Sequence, residues 1–412
     1  MLDTIEKAAK EFLSVLEDNK KNKKQLRVVS HYDADGITSA AIAAKMLKRL
    51  GVQYWLSNIK VLDSKICEEL QEEAANGKWD IAKILDFALS QKKLEKLNAL
   101  GKKIFVLDHH IPNTLNELDA GGFKDINNFE NITLINSTLF GEELSSAGLA
   151  YLLAKAVSEN NEDLAYVGLI GMIGDRQKFN DGVNNIILED AQKGKVAVRK
   201  GLNFFGQSTR PLHKALEFGD SFIPGVTANE SGALDLIKQA GIALKNNGRY
   251  RTLLDLNENE MRKLCTLITA RTNGAVNSEI IGDIYLVNIS GRLYDARELA
   301  TIINSCGRLG KTEIGIEACY GNIKEAEKVY SNYRRELVAA LDWINKNQNS
   351  EGIIDTGKAL IINAKDNVRD TLIGVIVSLL VNSYKEKILI GMAYNEDGIK
   401  VSFRTKTNAN IK

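Results

Sequence analysis

The sequence predicts an α/β fold: a mostly parallel sheet flanked by helices, then an inserted helical and mixed region, then a smaller α/β lobe. Three observations carry this expectation. Between residues 25 and 175, short apolar runs alternate with segments of helical period, the pattern of a parallel sheet wrapped by helices. Acid-rich clusters stand directly after two of those runs, at Ser30-His31-Tyr32-Asp33-Ala34-Asp35-Gly36 and at Asp108-His109-His110. Polar residues past the carboxyl ends of parallel strands converge on one crevice. After about residue 190 the alternation gives way to helix-rich sequence, and a strand–helix–strand–strand pattern begins near Gly357.

The elements follow in order. Residues 1–21 read as a charged amphipathic helix without the apolar core of a signal peptide. Strands are expected at 26–31, 53–59, 81–87, 103–108 and 132–136, with helices at 38–50, 63–75 and 92–100. Residues 230–275 read as mainly helical, 281–289 as a strand, 291–310 as a helix with glycine-rich ends and 322–346 as a long charged helix. The last segment reads as strand 359–364, helix 369–384 and strands 388–394 and 399–404. We therefore expect three parts, 1–190, 191–352 and 353–412. The third stops directly after a strand and reads as incomplete: either the sequence is truncated there, a second polypeptide completes the lobe, or the function does not need the remainder.

Bulk properties narrow the function classes. A chain of 412 residues is too long for one ordinary core, and 44% hydrophobic residues suffice for a full interior. A formal charge of +1 excludes a strongly basic protein but permits a local basic groove. The candidates are Lys20, Lys21, Lys23 and Lys24, and the row Lys193, Lys195, Arg199 and Lys200; such clusters are more often solvated faces. Cys67, Cys265, Cys306 and Cys319 show no C-x-x-C spacing, which argues against a disulfide framework and fits a reducing cytoplasm. No apolar stretch reaches membrane-spanning length.

Five pieces are expected to build one site. Asp33 and Asp35 alternate by two and share the parity of His31, so a strand end there would aim them together. Asp86 closes one apolar run, and Asp108 and His109 close the next. Asp175 follows a stretch in which Gly171 and Gly174 bracket an apolar turn. Carboxylates crowded in a crevice repel one another and resist desolvation. Two divalent cations with one bridging aspartate would resolve this, and hard carboxylates mixed with imidazoles suit Mn²⁺ or Mg²⁺. Such a pair, roughly 3.5–4 Å apart, can hold an attacking hydroxide and stabilise a phosphoryl transition state. His110 would then hydrogen-bond a phosphate oxygen or protonate a leaving group. Taken singly, an Asp-x-Asp is usually a turn or cap and a His-His pair an ordinary feature; their joint placement at strand ends outweighs that.

These residues resemble the DHH phosphoesterase superfamily, most closely the archaeal RecJ-like nucleases. His-Tyr-Asp-Ala-Asp-Gly at 31–36 resembles the first motif, Asp86 the lone aspartate of the second, Asp108-His109-His110 the DHH signature and Asp175 in Gly-x-x-Gly-Asp the fourth. The resemblance implies Asp33, Asp35, Asp86, Asp108, His109 and Asp175 as metal ligands or their neighbours, with Asp86 as bridge. His31 stands where bacterial relatives often carry an aspartate. Ser145, Ser146 and Gly148 resemble a substrate-side serine motif. There, a helix N-terminus would hold phosphate through free N–H groups or simply be capped. Arg404 in Ser402-Phe403-Arg404-Thr405 resembles an arginine that grips a nucleic-acid backbone. The segment from Asp295 to Arg308 resembles an insertion between the lobes. The sequence from 357 onward resembles the start of a DHHA1 domain that ends before its glycine-rich segment.

Three functions follow from the resemblance. The first is a phosphodiesterase acting as an exonuclease on single-stranded DNA or RNA, in replication or repair. The second is an oligonucleotide or cyclic-dinucleotide phosphodiesterase, against which the large middle segment argues. The third is a replisome scaffold binding the GINS complex; filled metal-motif positions disfavour scaffolding alone.

Overall fold

The computed structural model describes residues 1–22, 25–87, 91–111, 129–179, 182–219, 221–272, 274, 280–348, 350–396 and 398–407. The chain forms two compact units. Unit 1 comprises Met1–Asn304 with Gly315–Asn322, and unit 2 comprises Ser305–Ile314 with Ile323–Lys412.

Unit 1 begins with α1 (Leu2–Asn22), β1 (Gln25–His31), α2 (Ala34–Arg49), β2 (Tyr54–Ile59), α3 (Ser64–Ala75), β3 (Trp79–Leu85), α4 (Gln91–Asn98), β4 (Lys103–Asp108) and β5 (Ile132–Asn136). The strands form one sheet in the order β2-β1-β3-β4-β5, and every pairing is parallel. One face buries Val29, Trp79, Ile84 and Val106 against Leu70 of α3 and Leu94 of α4. Helices α5 (Ser146–Val157), α6 (Ala165–Gly174) and α7 (Gly182–Gly194) follow β5. The fully buried run Ala40–Ala44 of α2 is built of small and β-branched residues, which allows α2 to lie close to α5 and α6. The strand order reverses between β1 and β3, so their carboxyl ends open the crevice in which α/β sheets place ligands.

The rest of unit 1 contains β6 (Val196–Leu202), α8 (Leu212–Glu217), α9 (Glu230–Gln239), the hairpin β7 (Lys245–Asn246) and β8 (Arg249–Tyr250), α10 (Glu258–Arg271), β9 (Ile281–Ile289), β10 (Arg292–Asp295) and most of α11 (Ala296–Arg308) and of α12 (Thr312–Cys319). Strands β10-β9-β6 make an antiparallel sheet. A second core, including Phe204, Leu216, Leu236 and Leu264, fills this region.

Unit 2 holds α13 (Ile323–Lys346) together with β11 (Ile353–Asp355), β12 (Ala359–Asn363), α14 (Asp370–Leu380), β13 (Ile388–Asn395) and β14 (Gly398–Thr405). Its sheet runs β11-β12-β13-β14, parallel only between β12 and β13, where α14 makes the crossover.

The expected α/β class and parallel sheet are present. Three local readings change. The expected helix at 291–310 divides into β10 and α11, because Ser290 and Gly291 both take positive φ (51° and 85°) and turn the chain back on β9. Strand β6 was not expected, since Ala197, Arg199 and Lys200 are exposed and break any apolar run. The glycine-bracketed turn before Asp175 is helix α6, with Asp175 as its C-terminal cap residue. The side chains of Lys20, Lys21, Lys23 and Lys24 lie outside the described residues. The second basic row is dispersed: Lys193 bridges Asp190 and Glu162, Lys195 lies over the Tyr166 ring and Lys200 pairs with Asp283. Among the described residues no helix is long and apolar enough to cross a membrane.

Candidate metal centre

The acids collect at the carboxyl ends of β1, β3 and β4 and at the ends of two helices, α2 and α6. His31 is the last residue of β1. Asp33 is the N-cap of α2, its Oδ1 accepting the Gly36 N–H at 3.0 Å, and Asp35 lies in the first turn of that helix. Their convergence thus comes from a helix start, not from strand alternation. Gly36 permits the tight entry, because a Cβ there would stand 2.3 Å from the His31 carbonyl oxygen. Asp86 follows β3 with φ 65°. The left-handed region is uncommon for a residue other than glycine, and such conformations cluster where a side chain must be aimed.

Asp86 is 2% exposed and sits at the centre. Its Oδ1 is 3.3 Å from His109 Nε2 and accepts a long 3.4 Å hydrogen bond from Ser146 Oγ, while its Oδ2 is 3.5 Å from His31 Nδ1. His31 Nδ1 is also 3.0 Å from Asp33 Oδ2. His109 Nε2 lies 3.1 Å from Asp175 Oδ2 and 3.7 Å from Asp35 Oδ2. Three ligand groups result: His31 with Asp33 and Asp86; Asp35 with His109 and Asp175; and Asp86 with His109 and His110. Within each, the donor atoms lie within 4.8 Å of one another.

Asp108 stands apart from these groups. Its Oδ1 accepts the backbone N–H of His109 (2.8 Å) and of His110 (3.2 Å) and faces His110 Nδ1 at 2.8 Å. Its Oδ2 accepts from Asn136 Nδ2 at 3.3 Å. Asp108 therefore shapes the turn that presents both histidines.

Two family models match this chain: the one described as the DHH family, N-terminal domain, over residues 25–172, and the DHH-CID domain over residues 204–284. The chain belongs to the DHH superfamily. Over 397 residues this DHH protein is 25% identical to the uncharacterized protein MJ0831 of Methanocaldococcus jannaschii, covering 94% of this chain and 82% of that one. Its fold matches that of CDC45 from Entamoeba histolytica with a TM-score of 0.69 at 13% identity, over 95% of this chain and 86% of that chain. It also matches exonuclease RecJ bound to manganese, with a TM-score of 0.55 at 16% identity, over 99% and 83% of the two chains. For RecJ in complex with Mn²⁺ from Thermus thermophilus the TM-score is 0.52 at 16% identity; that match covers 95% of this chain but only 46% of the larger protein. The fold of this DHH protein is RecJ-like.

The charges of the cluster do not balance internally. Burial, then the charge of Asp86, pushes the Asp33 carboxyl up, and burial with Asp86 and Asp175 pushes Asp35 well up. Burial also raises Asp86, but hydrogen bonding to His109 and His31 outweighs it and holds Asp86 far below the usual carboxylate range. Burial depresses both imidazoles, yet the surrounding aspartates lift His31 to about 10 and His109 to about 11. In the metal-free chain, protons on two histidines thus supply the positive charge that the carboxylates demand. The close contacts of His31 Nδ1 with Asp33 Oδ2 and Asp86 Oδ2 nevertheless lack good hydrogen-bond geometry, so among the described residues His31 Nδ1 and Asp86 Oδ2 are buried without a well-formed hydrogen bond. Orphaned donor atoms among carboxylates and imidazoles fit a divalent cation, and this oxygen-rich set suits Mn²⁺ or Mg²⁺.

The serine motif is engaged within the cluster. At the start of α5 the N–H groups of Ser146 and Ala147 donate to Asp35 Oδ2 and Oδ1 at 2.9 and 3.0 Å. The Ser145 N–H donates to Gln177 Oε1, and the Gly148 N–H to Ser145 Oγ. The helix end is thus occupied by an aspartate of the cluster, which favours the capping alternative over a free phosphate cradle. Arg404 lies in unit 2 on β14, where its guanidinium donates to Ser378 Oγ and to the Phe403 carbonyl.

Sequence reasoning missed Asn136, Gln177 and Gly171. Asn136 ends β5, is 1% exposed and ties Asp108 Oδ2 to the His110 carbonyl; a polar residue closing an apolar run was its available signal. Gly171 lets α6 cross α2 and α5, since a Cβ there would stand 2.3 Å from Thr38 Oγ1 and 3.0 Å from Asp35 Oδ1.

Proposed function

We propose that this protein is a metal-dependent phosphodiesterase that releases nucleotides from an end of single-stranded DNA or RNA, with two Mn²⁺ or Mg²⁺ ions held by His31, Asp33, Asp35, Asp86, His109 and Asp175. The observation that carries the reading is the position of Asp86, shared between the His31–Asp33 group and the group containing His109. One carboxylate with an oxygen toward each side is suited to bridge. The ions would polarise a phosphate and lower the pKa of a water. The chain's own groups do the rest. Asp108 holds His110 through Nδ1, which leaves Nε2 to hydrogen-bond the phosphate or protonate the departing oxygen. Asn136 braces Asp108, and α5 braces Asp35, so the ligands need little reorganisation as substrate arrives.

The likeness to RecJ bound to manganese supports the metal and the substrate class. The three-part division at about 190 and 352 is proposed with it, as is Arg404 as a contact for the nucleic-acid backbone. The CDC45 likeness supports a second reading, a replisome-associated protein touching GINS; filled ligand positions favour chemistry over scaffolding alone.

Hydrolysis of end-labelled single-stranded DNA and RNA with Mn²⁺ tests the proposal, with Asp86→Asn as control. Mononucleotide release by the parent and none by the variant is expected. Hydrolysis confined to dinucleotides would favour the small-substrate phosphodiesterase instead, and hydrolysis surviving in Asp86→Asn would overturn the assignment.

A further inference from the structure

A cavity of about 740 Å³ opens between α10 and the β6–β9 sheet. That size is usual for a small-ligand site, and none of the metal-centre residues lines it. Part of its wall is apolar, with Met261, Ile284 and Leu286 among the lining residues. Gly201 keeps α10 against the strand, since a Cβ there would stand 3.1 Å from Ile284 Cδ1 and 3.2 Å from Met261 Sδ.

Two polar features mark the cavity. Gln207 lines it and is fully buried. Its Nε2 donates to the carbonyls of Leu202 and Phe204, which fixes the amide orientation and makes Oε1 the atom left over. Oε1 is buried and accepts nothing among the described residues, an arrangement proteins generally avoid unless a ligand or water supplies the donor. The second feature is cationic. Arg199, Lys200 and Arg262 line the cavity against one carboxylate, Glu258. Lys200 is paired with Asp283, whereas the guanidinium groups of Arg199 and Arg262 have no partner among the described residues.

We propose that this cavity binds a nucleoside phosphate: the base lies against the apolar part of the wall and donates an N–H to Gln207 Oε1, and the phosphate meets Arg199 and Arg262. A free phosphate lacks the apolar body, and a simple carboxylic acid lacks both the donor and the dianion that two guanidiniums match. The inference is independent of the hydrolytic reading, because it uses none of the metal-centre residues.

The test is calorimetric binding of AMP, CMP, GMP and UMP to the full chain in EDTA, with ribose 5-phosphate and inorganic phosphate as controls. At least one nucleotide should bind one to one, about tenfold or more tighter than ribose 5-phosphate. Affinity should persist in Asp86→Asn and fall by about tenfold or more both in Arg199→Ala/Arg262→Ala and in the cavity-filling Cys265→Trp. Bound nucleotide should also shield Cys265, which is half-buried, from thiol reagents; Cys67, Cys306 and Cys319 are buried. Four results would each overturn the proposal: no saturation at millimolar nucleotide, equal binding of inorganic phosphate, loss of binding in Asp86→Asn, or binding that survives both cavity variants. Capture of an acidic peptide with no affinity for nucleotides would overturn it too.

Discussion

Asp35 and Ser146, 111 residues apart in the chain, meet where the Asp35 carboxylate accepts the Ser146 backbone N–H at 2.9 Å. A helix N-terminus is thereby turned onto an acid of the metal centre instead of onto a ligand. The N–H groups and the helix dipole favour negative charge at that point, yet burial and the charges of Asp86 and Asp175 still push the Asp35 carboxyl well up. Asp35 is thus costly in the metal-free chain and stabilising once cations are present.

Asp35→Asn should therefore leave the metal-free melting temperature unchanged or higher, because one buried charge is removed. The rise in melting temperature that Mn²⁺ produces should shrink. Thermal melts with and without Mn²⁺ check this; a lower metal-free melting temperature with an unchanged Mn²⁺ response would contradict it.

Gly171→Ala places a methyl 2.3 Å from Thr38 Oγ1 and 2.5 Å from Ala147 Cβ. Overpacking of this kind costs about 1–3 kcal/mol. At Gly174 the nearest atom would be Ala34 Cβ at 3.1 Å, so Gly174→Ala should cost less. Urea denaturation of the two variants measures the difference, and equal midpoints would count against this account of the helix crossing.

Asn136→Ala removes the brace on Asp108 and on the His110 carbonyl. Losing a residue that orients a metal centre's neighbours typically costs about 10–100-fold in metal affinity or activity. The expected result is a fall in turnover of that order with Mn²⁺ stoichiometry retained. Loss of the metal itself would show that Asn136 acts on the ligands rather than on the Asp108–His110 pair.

Lys83 on the inner strand β3 is 2% exposed, and its ammonium lies 4.1 Å from the Phe12 ring centroid. Burial pulls its pKa down to about 7. The unfolded chain keeps the ordinary lysine value near 10.4, so between about pH 7 and 10 it binds more protons than the folded chain, and stability rises with pH across that window. Below it the penalty is fully present. Lys83→Met should be more stable than the parent at pH 6, and the gap should close towards pH 10; denaturant melts across this range would sink the account if the gap did not narrow.

The sheet and its ligand-bearing ends were legible because the apolar runs of β1, β3, β4 and β5 are short and each meets a polar residue at its end. What stayed hidden is non-local or depends on backbone shape. Asp33 and Asp35 share a parity that suits a strand, but Asp33 caps α2, and capping residues satisfy the same local pattern. The apolar stretch before Asp175 is a helix that close packing at Gly171 makes tight, and no local signal tells that from a turn. Between the two readings of Ser145–Gly148, cradle or cap, the contact of Asp35 with the Ser146 and Ala147 N–H groups favours the cap, and spacing cannot show that contact. Strand β6 was masked by the exposed, charged Arg199 and Lys200 in its middle.

The central claim is a pair of cations bridged by Asp86. Mn²⁺ titration of the metal-free chain, followed by calorimetry and electron paramagnetic resonance, tests it most directly. Two ions per chain with an exchange-coupled spectrum are expected for the parent, and at most one uncoupled ion for Asp86→Asn. A parent that binds a single ion, or a variant that keeps the coupled pair, would contradict the account.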